Sequence, residues 1–162
     1  ADFTVTNGGT PTITGSGSTW TVTTTASSQG TVTIALAGGF SISDGVGNAA
    51  TTAGGADRSV TYDTTAPTLT FQQAAGQADP AKNAAIQFTL TGSEALDATT
   101  VTAADFTVAN GSAPTISCAS STCTVTTTAT ADGAVTMGLA AGFSVSDPAG
   151  NAATTEIGRA HV

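Results

Sequence analysis

One histidine, three basic residues and two cysteines are all that 162 residues contain of the side chains that most enzyme and metal chemistry uses. The histidine, His161, stands next to the last residue. It carries no functional weight, which leaves no base for a nucleophile of the Ser–His–acid kind, and two cysteines alone do not make a zinc site. The eleven acidic residues are too sparse and too well suited to turns or a metal to read as a glycosidase pair, so the chain reads as no enzyme. Eleven acids against three bases give a net charge of -8, which repels phosphate and excludes a nucleic-acid partner. That balance suits a secreted protein or one that collects divalent cations. No apolar run approaches the roughly 18 residues of a membrane span, so membrane insertion is not expected. The N-terminus also lacks the basic and apolar regions of a signal peptide, although Ala1 lies inside a repeat and that lack says little. Runs of Glu, Lys, Leu and Arg that would build helix faces are missing.

What is present is 35 Thr and 19 Gly, the makings of β-branched strands joined by glycine turns. The glycine-rich pieces "NGG", "GSGS" and "AGG" are hairpin and loop glycines. None follows a strand into a helix or precedes a Lys, as a phosphate cradle requires. Sliding the chain along itself by 103 residues aligns 1–52 with 104–155 without a gap, about two thirds of the positions being identical. A period near 100 residues suits a bead-like domain. Three segments are expected: 1–63, a unit lacking its first strands; 64–155, a unit lacking its last strand; and 156–162, a non-native tail. Copy one has no counterpart of Pro67–Ala103, and copy two none of "ADRSVTYD". The tail "EIGRAHV" back-translates as GAG ATC GGA AGA GCA CAC GTC, which resembles from its second base the start of a common sequencing adaptor. A divergent natural terminus is the alternative.

Within the second copy the period-two pattern predicts short strands at "PTLTFQQ" (67–73), "AAIQFTLTG" (84–92), "DFTVANG", "PTISC", "CTVTTTAT" and "AVTMGLA". A closing strand like "RSVTY" (58–62) is expected after them. Ile86, Phe88 and Leu90 share one face. About seven strands with frequent turn signals predict an all-β fold of tandem immunoglobulin-like antiparallel β-sandwiches, both truncated. Strand parity then gathers Asp63, Glu94, Asp97, Asp105, Asp147 and Asn151 at one pole. These oxygens suit calcium, which takes six to eight oxygen ligands. The local alternative gives each a turn: Asp147 opens "DPAGN", where Gly150 and Asn151 tolerate positive φ, and Asp105 forms an Asx-turn before its strand. Copy one keeps Asp2, Asp44 and Asn48, but the partners of Glu94 and Asp97 have no place in it.

Cys118 and Cys123 flank the tip "ASST" of a predicted hairpin, which places them opposite each other as a disulfide, with two free thiols as the alternative. A bridge fits an oxidising compartment. Copy one has Gly15 and Trp20 there. A tip Trp20 reads as hairpin packing before it reads as a sugar or protein contact.

The linker "DTTAPT", the "GSE" after the second strand, "ADFTV" and "AGFSVSDPAGN" resemble the tandem bacterial Ig-like repeats of very large secreted adhesins, including those exported by type I secretion. The resemblance covers about 155 residues. It implies an extracellular, cell-surface spacer or adhesive segment, partnered by neighbouring Ig-like repeats of the same chain and stiffened by calcium near domain junctions. It leaves the host or surface ligand unknown. A carbohydrate-binding accessory module of a secreted hydrolase is the alternative from another class.

Overall fold

The computed structural model describes residues 2–50, 55 and 57–153, so the 156–162 tail lies outside the described residues. The described residues are all-β and antiparallel, with no helix of seven residues or more. No described helix is long and apolar enough to cross a membrane. The chain divides after Thr64 into two compact units.

The described residues of the first unit form five strands: β1 (Phe3–Thr6), β2 (Thr12–Ser16), β3 (Thr19–Thr23), β4 (Gly30–Leu36) and β5 (Ser59–Tyr62). They form a three-stranded sheet in the order β1-β4-β5 and a separate β2-β3 hairpin. None of its described residues is fully buried. Phe3, Ile34 and Leu36 are half-buried, and Val60 and Tyr62 are exposed.

The second unit has β6 (Leu69–Gln73), β7 (Ala85–Gly92), two single-turn 3-10 helices at Ala98–Thr100 and Ala103–Asp105, then β8 (Phe106–Ala109), β9 (Thr115–Ala119), β10 (Thr122–Thr128) and β11 (Thr136–Leu139). A four-stranded sheet runs β6-β7-β10-β9, and a β8-β11 pair faces it across a common core, giving a sandwich-like unit. Alternation places Phe88 and Leu90 of β7 and Cys123 and Val125 of β10 inside, against Phe106 of β8 and Met137 of β11. Phe71 stacks on Phe88 at 5.7 Å between ring centres and meets Phe106 at 5.4 Å, so aromatic contacts cross between the sheets. Thr127, on the same face, is 1 % exposed and donates its hydroxyl to the Ser112 carbonyl at 2.7 Å. The threonine is thereby buried without an unmet hydrogen bond.

One local arrangement recurs at positions 103 apart. Asn7 and Asn110 both take φ 56°, and each side-chain amide holds the loop that follows β3 or β10. Asn7 donates to the Ser28 carbonyl at 2.8 Å and Asn110 to that of Ala131 at 3.0 Å. The next residue must be glycine. A Cβ on Gly8 would lie 2.7 Å from Val5 Cγ1, and one on Gly111 would lie 2.6 Å from Thr127 Oγ1.

Candidate functional site

Loops at one end of the second unit carry the polar residues singled out from the sequence. After β7 the chain enters the first 3-10 turn through Asp97, whose Oδ1 accepts from the Thr99 amide at 2.9 Å and the Thr99 hydroxyl at 2.7 Å. The hydroxyl bond, then the amide bond, hold the Asp97 carboxyl below its ordinary value. Asp97 also fixes the neighbouring loop, because its amide donates to the Ser146 carbonyl at 2.8 Å. In return the Ser146 amide donates to Thr100 Oγ1 at 3.2 Å.

Asp105 ends the second 3-10 turn and is 8 % exposed. Its Oδ2 accepts from the Thr102 amide at 2.7 Å and from the Thr102 hydroxyl at 2.8 Å, and its Oδ1 takes the Ser144 amide at 3.4 Å. The expected Asx-turn is corrected: the carboxylate reaches back to Thr102, the capping-box direction, so that it closes the turn before β8. The sequence carried the signal for this in "TAAD", a Thr followed three residues later by an acid.

Asp147 is 1 % exposed. Asn151 grips it with two bonds, from its amide to Oδ1 at 2.9 Å and from Nδ2 to Oδ2 at 2.8 Å. Burial raises the Asp147 pKa, but the Asn151 side-chain and backbone donors, with the amides of Ala149 and Gly150, prevail and hold it below its ordinary value. Of the two residues expected to tolerate positive φ in this turn, Gly150 takes φ 90° and Asn151 does not take one. In the first unit Asp44 is gripped by Asn48 in the same way, at 2.9 and 2.8 Å, but the pair is exposed. Its pKa is lowered by the Asn48 side chain first. Asp2, the counterpart of Asp105, is exposed, and its carbonyl accepts from the Ala37 amide at 2.9 Å.

Glu94 is half-buried in the same loop as Asp97 and brings a carboxylate oxygen to within 4.8 Å of one on Asp147. Asp63 lies in the first unit, directly after β5 and one residue before the unit's end at Thr64. Among the second-unit residues named from sequence, then, Glu94 and Asp147 approach through their carboxylates and Asn151 clasps Asp147. Asp97 and Asp105 serve the turns that bear them, and Thr99, Thr100 and Thr102 are supports that the carboxylate pattern alone did not reveal.

The spacing fits a hard cation. Two oxygens bound at about 2.3–2.6 Å to one calcium lie no more than about 5 Å apart. The chemistry available here is charge neutralisation and cross-linking of loops. No protein-family model, no curated protein and no solved structure matches the chain.

Proposed function

We propose that the chain is a non-enzymatic spacer or adhesive segment of an extracellular bacterial surface adhesin, its two units being successive Ig-like sandwich modules. The observation that supports this best is the recurrence, 103 residues apart, of the same strand order, the same Asn–Gly corner and the same Asp–Asn clasp. Such duplication serves reach and mechanical continuity more naturally than chemistry. Calcium is the proposed cofactor, held in the second unit by Glu94 and Asp147. Its role would be to restrict the junction between neighbouring repeats. A carbohydrate-binding role has less support, because the counterpart of Trp20 in the second unit is Cys123, a fully buried core position.

The test is thermal melting of the full chain with calcium and with chelator, beside calorimetric titration. The expected result is one calcium taken up by the second unit and a gain of about 2.7 kcal/mol at a hundredfold excess over Kd. Glu94→Gln is expected to lose the uptake. A melting temperature that chelator leaves unchanged would remove calcium from the proposal.

A further inference from the structure

The loop that carries Glu94 is held on both sides of that residue by one hairpin tip. At the end of β7 the Gly92 amide donates to the Ser121 carbonyl at 2.8 Å, and beyond Glu94 the Leu96 amide donates to the Ser120 carbonyl at 3.0 Å. Ser120 and Ser121 are the two-residue turn between β9 and β10. Ala119 and Thr122 flank this turn, and the next facing pair is Cys118 and Cys123, joined by the disulfide. The tip is thus closed into a ring. Ser120 takes φ 53°, in the left-handed region, which costs a residue with a side chain about 1 kcal/mol. Such a conformation persists where the surroundings fix it. The first unit makes the matching turn with Gly17 at φ 63° and has Gly15 facing Trp20 in place of a bridge. The bridge accompanies the serine, and glycine does without it.

We infer that the Cys118–Cys123 disulfide is a redox-sensitive latch on the Glu94 loop. While the bond stands, the ring keeps the Ser120 and Ser121 carbonyls in place for Leu96 and Gly92. A dithiol reductant opens it in two exchanges. One thiolate of the reductant attacks Cys118 Sγ, the S–S bond breaks, and Cys123 leaves as a thiolate that takes up a proton. The reductant's second thiolate then displaces Cys118, so that the reductant departs as its own disulfide and both cysteines end as thiols. Attack falls on Cys118 because it is half-buried, whereas Cys123 is 0 % exposed. Ser120 is then free to leave its left-handed conformation, and its carbonyl turns away from Leu96. The sandwich outlasts the bond, because Phe88, Leu90, Phe106 and Val125 pack without it and the β2–β3 hairpin pairs with no bridge at all. The slack travels further, since the Asp97 amide holds the Ser146 carbonyl at 2.8 Å, one residue ahead of Asp147. The effect on cation binding rests on the calcium reading above, and the latch itself does not.

Hydrogen exchange of the full chain, oxidised and after treatment with dithiothreitol, tests this amide by amide. The Gly92 and Leu96 amides are expected to speed up at least about tenfold on reduction, through an opening that low urea does not promote. Amides of the β7–β10 ladder should go on exchanging through unfolding that urea does promote. The paired variant Cys118→Ala with Cys123→Ala is expected to show the reduced pattern with no reductant present. Calcium affinity, titrated on the same samples, is expected to weaken at least about fivefold on reduction, the lower end of ordinary coupling between sites. Equal exchange at Gly92 and Leu96 in the two states overturns the inference. So does an acceleration there that follows urea as steeply as the ladder amides, or a second unit that unfolds outright on reduction, since the bond would then serve the whole unit and not one loop. A calcium affinity that reduction leaves unchanged breaks the link from latch to cation. No calcium uptake in either state removes the calcium reading, while the exchange comparison still decides the latch.

Discussion

The Asp147–Asn151 clasp shows how one amide makes a buried carboxylate tolerable. An acid 1 % exposed needs its charge met by donors, and the two bonds from Asn151, with the amides of Ala149 and Gly150, meet it. Asp44 makes the same bonds to Asn48 in full exposure, where much less depends on them. The consequence for pH follows from the direction of the shift. The folded-state pKa of Asp147 lies below the unfolded value of 3.8, so the clasp contributes its full stability above about pH 4 and loses it as pH falls through the folded value. Asp147→Asn is therefore expected to lower the melting temperature of the second unit at pH 6. The gap to the parent should narrow as pH drops below 3.8, in melts taken from about pH 6 to about pH 2.5. A gap that widens in acid would contradict this reading.

At the scale of elements, the β9–β10 hairpin and its counterpart solve one crowded position differently. Cys118 and Cys123 face each other with Cα atoms 4.0 Å apart and are joined by a disulfide. In the β2–β3 hairpin Gly15 faces Trp20, and a Cβ on Gly15 would come within 2.8 Å of the Trp20 Cα, so this hairpin has no room for the same bridge. Reduction is expected to lower the stability of the second unit by about 2 kcal/mol, the loop-closure estimate for so short a ring. Urea unfolding with and without reductant measures this, and the Trp20 signal of the first unit should not change. The strands themselves were readable from sequence. "AAIQFTLTG" and "CTVTTTAT" alternate cleanly because one face of each is buried, and they became β7 and β10 within a residue or two. The two 3-10 turns in "SEALDATTVTAAD" were not readable, since single turns have no period to detect. Carboxylates that cap their own turns look the same in sequence as carboxylates that bind a metal. That is why Asp97 and Asp105 joined Glu94 and Asp147 in the expected cluster.

The molecule as a whole carries two unequal units. The second has a closed set of buried side chains, with Leu90 and Val125 at 0 % exposure, and the first has no buried residue among those described. Burial of apolar area supplies most of folding stability, so the two should not unfold together. Hydrogen exchange is expected to be slow over β7 and β10 and much faster over β3 and β5, and urea should move the Trp20 emission before it releases the β7 and β10 amides. Coincident transitions would show that the first unit draws stability from a source other than its own core. The Asn–Gly corners add a different kind of consequence. Spontaneous deamidation needs the glycine nitrogen to attack the asparagine side-chain carbon. In Asn110 that side chain is held by the carbonyls of Ala131 and Ala134 at 3.0 and 3.3 Å and by the Thr130 hydroxyl at 3.2 Å. Chemical ageing at this dipeptide is thus confined to molecules whose corner has opened, and the aspartate left behind records how often a unit has come apart.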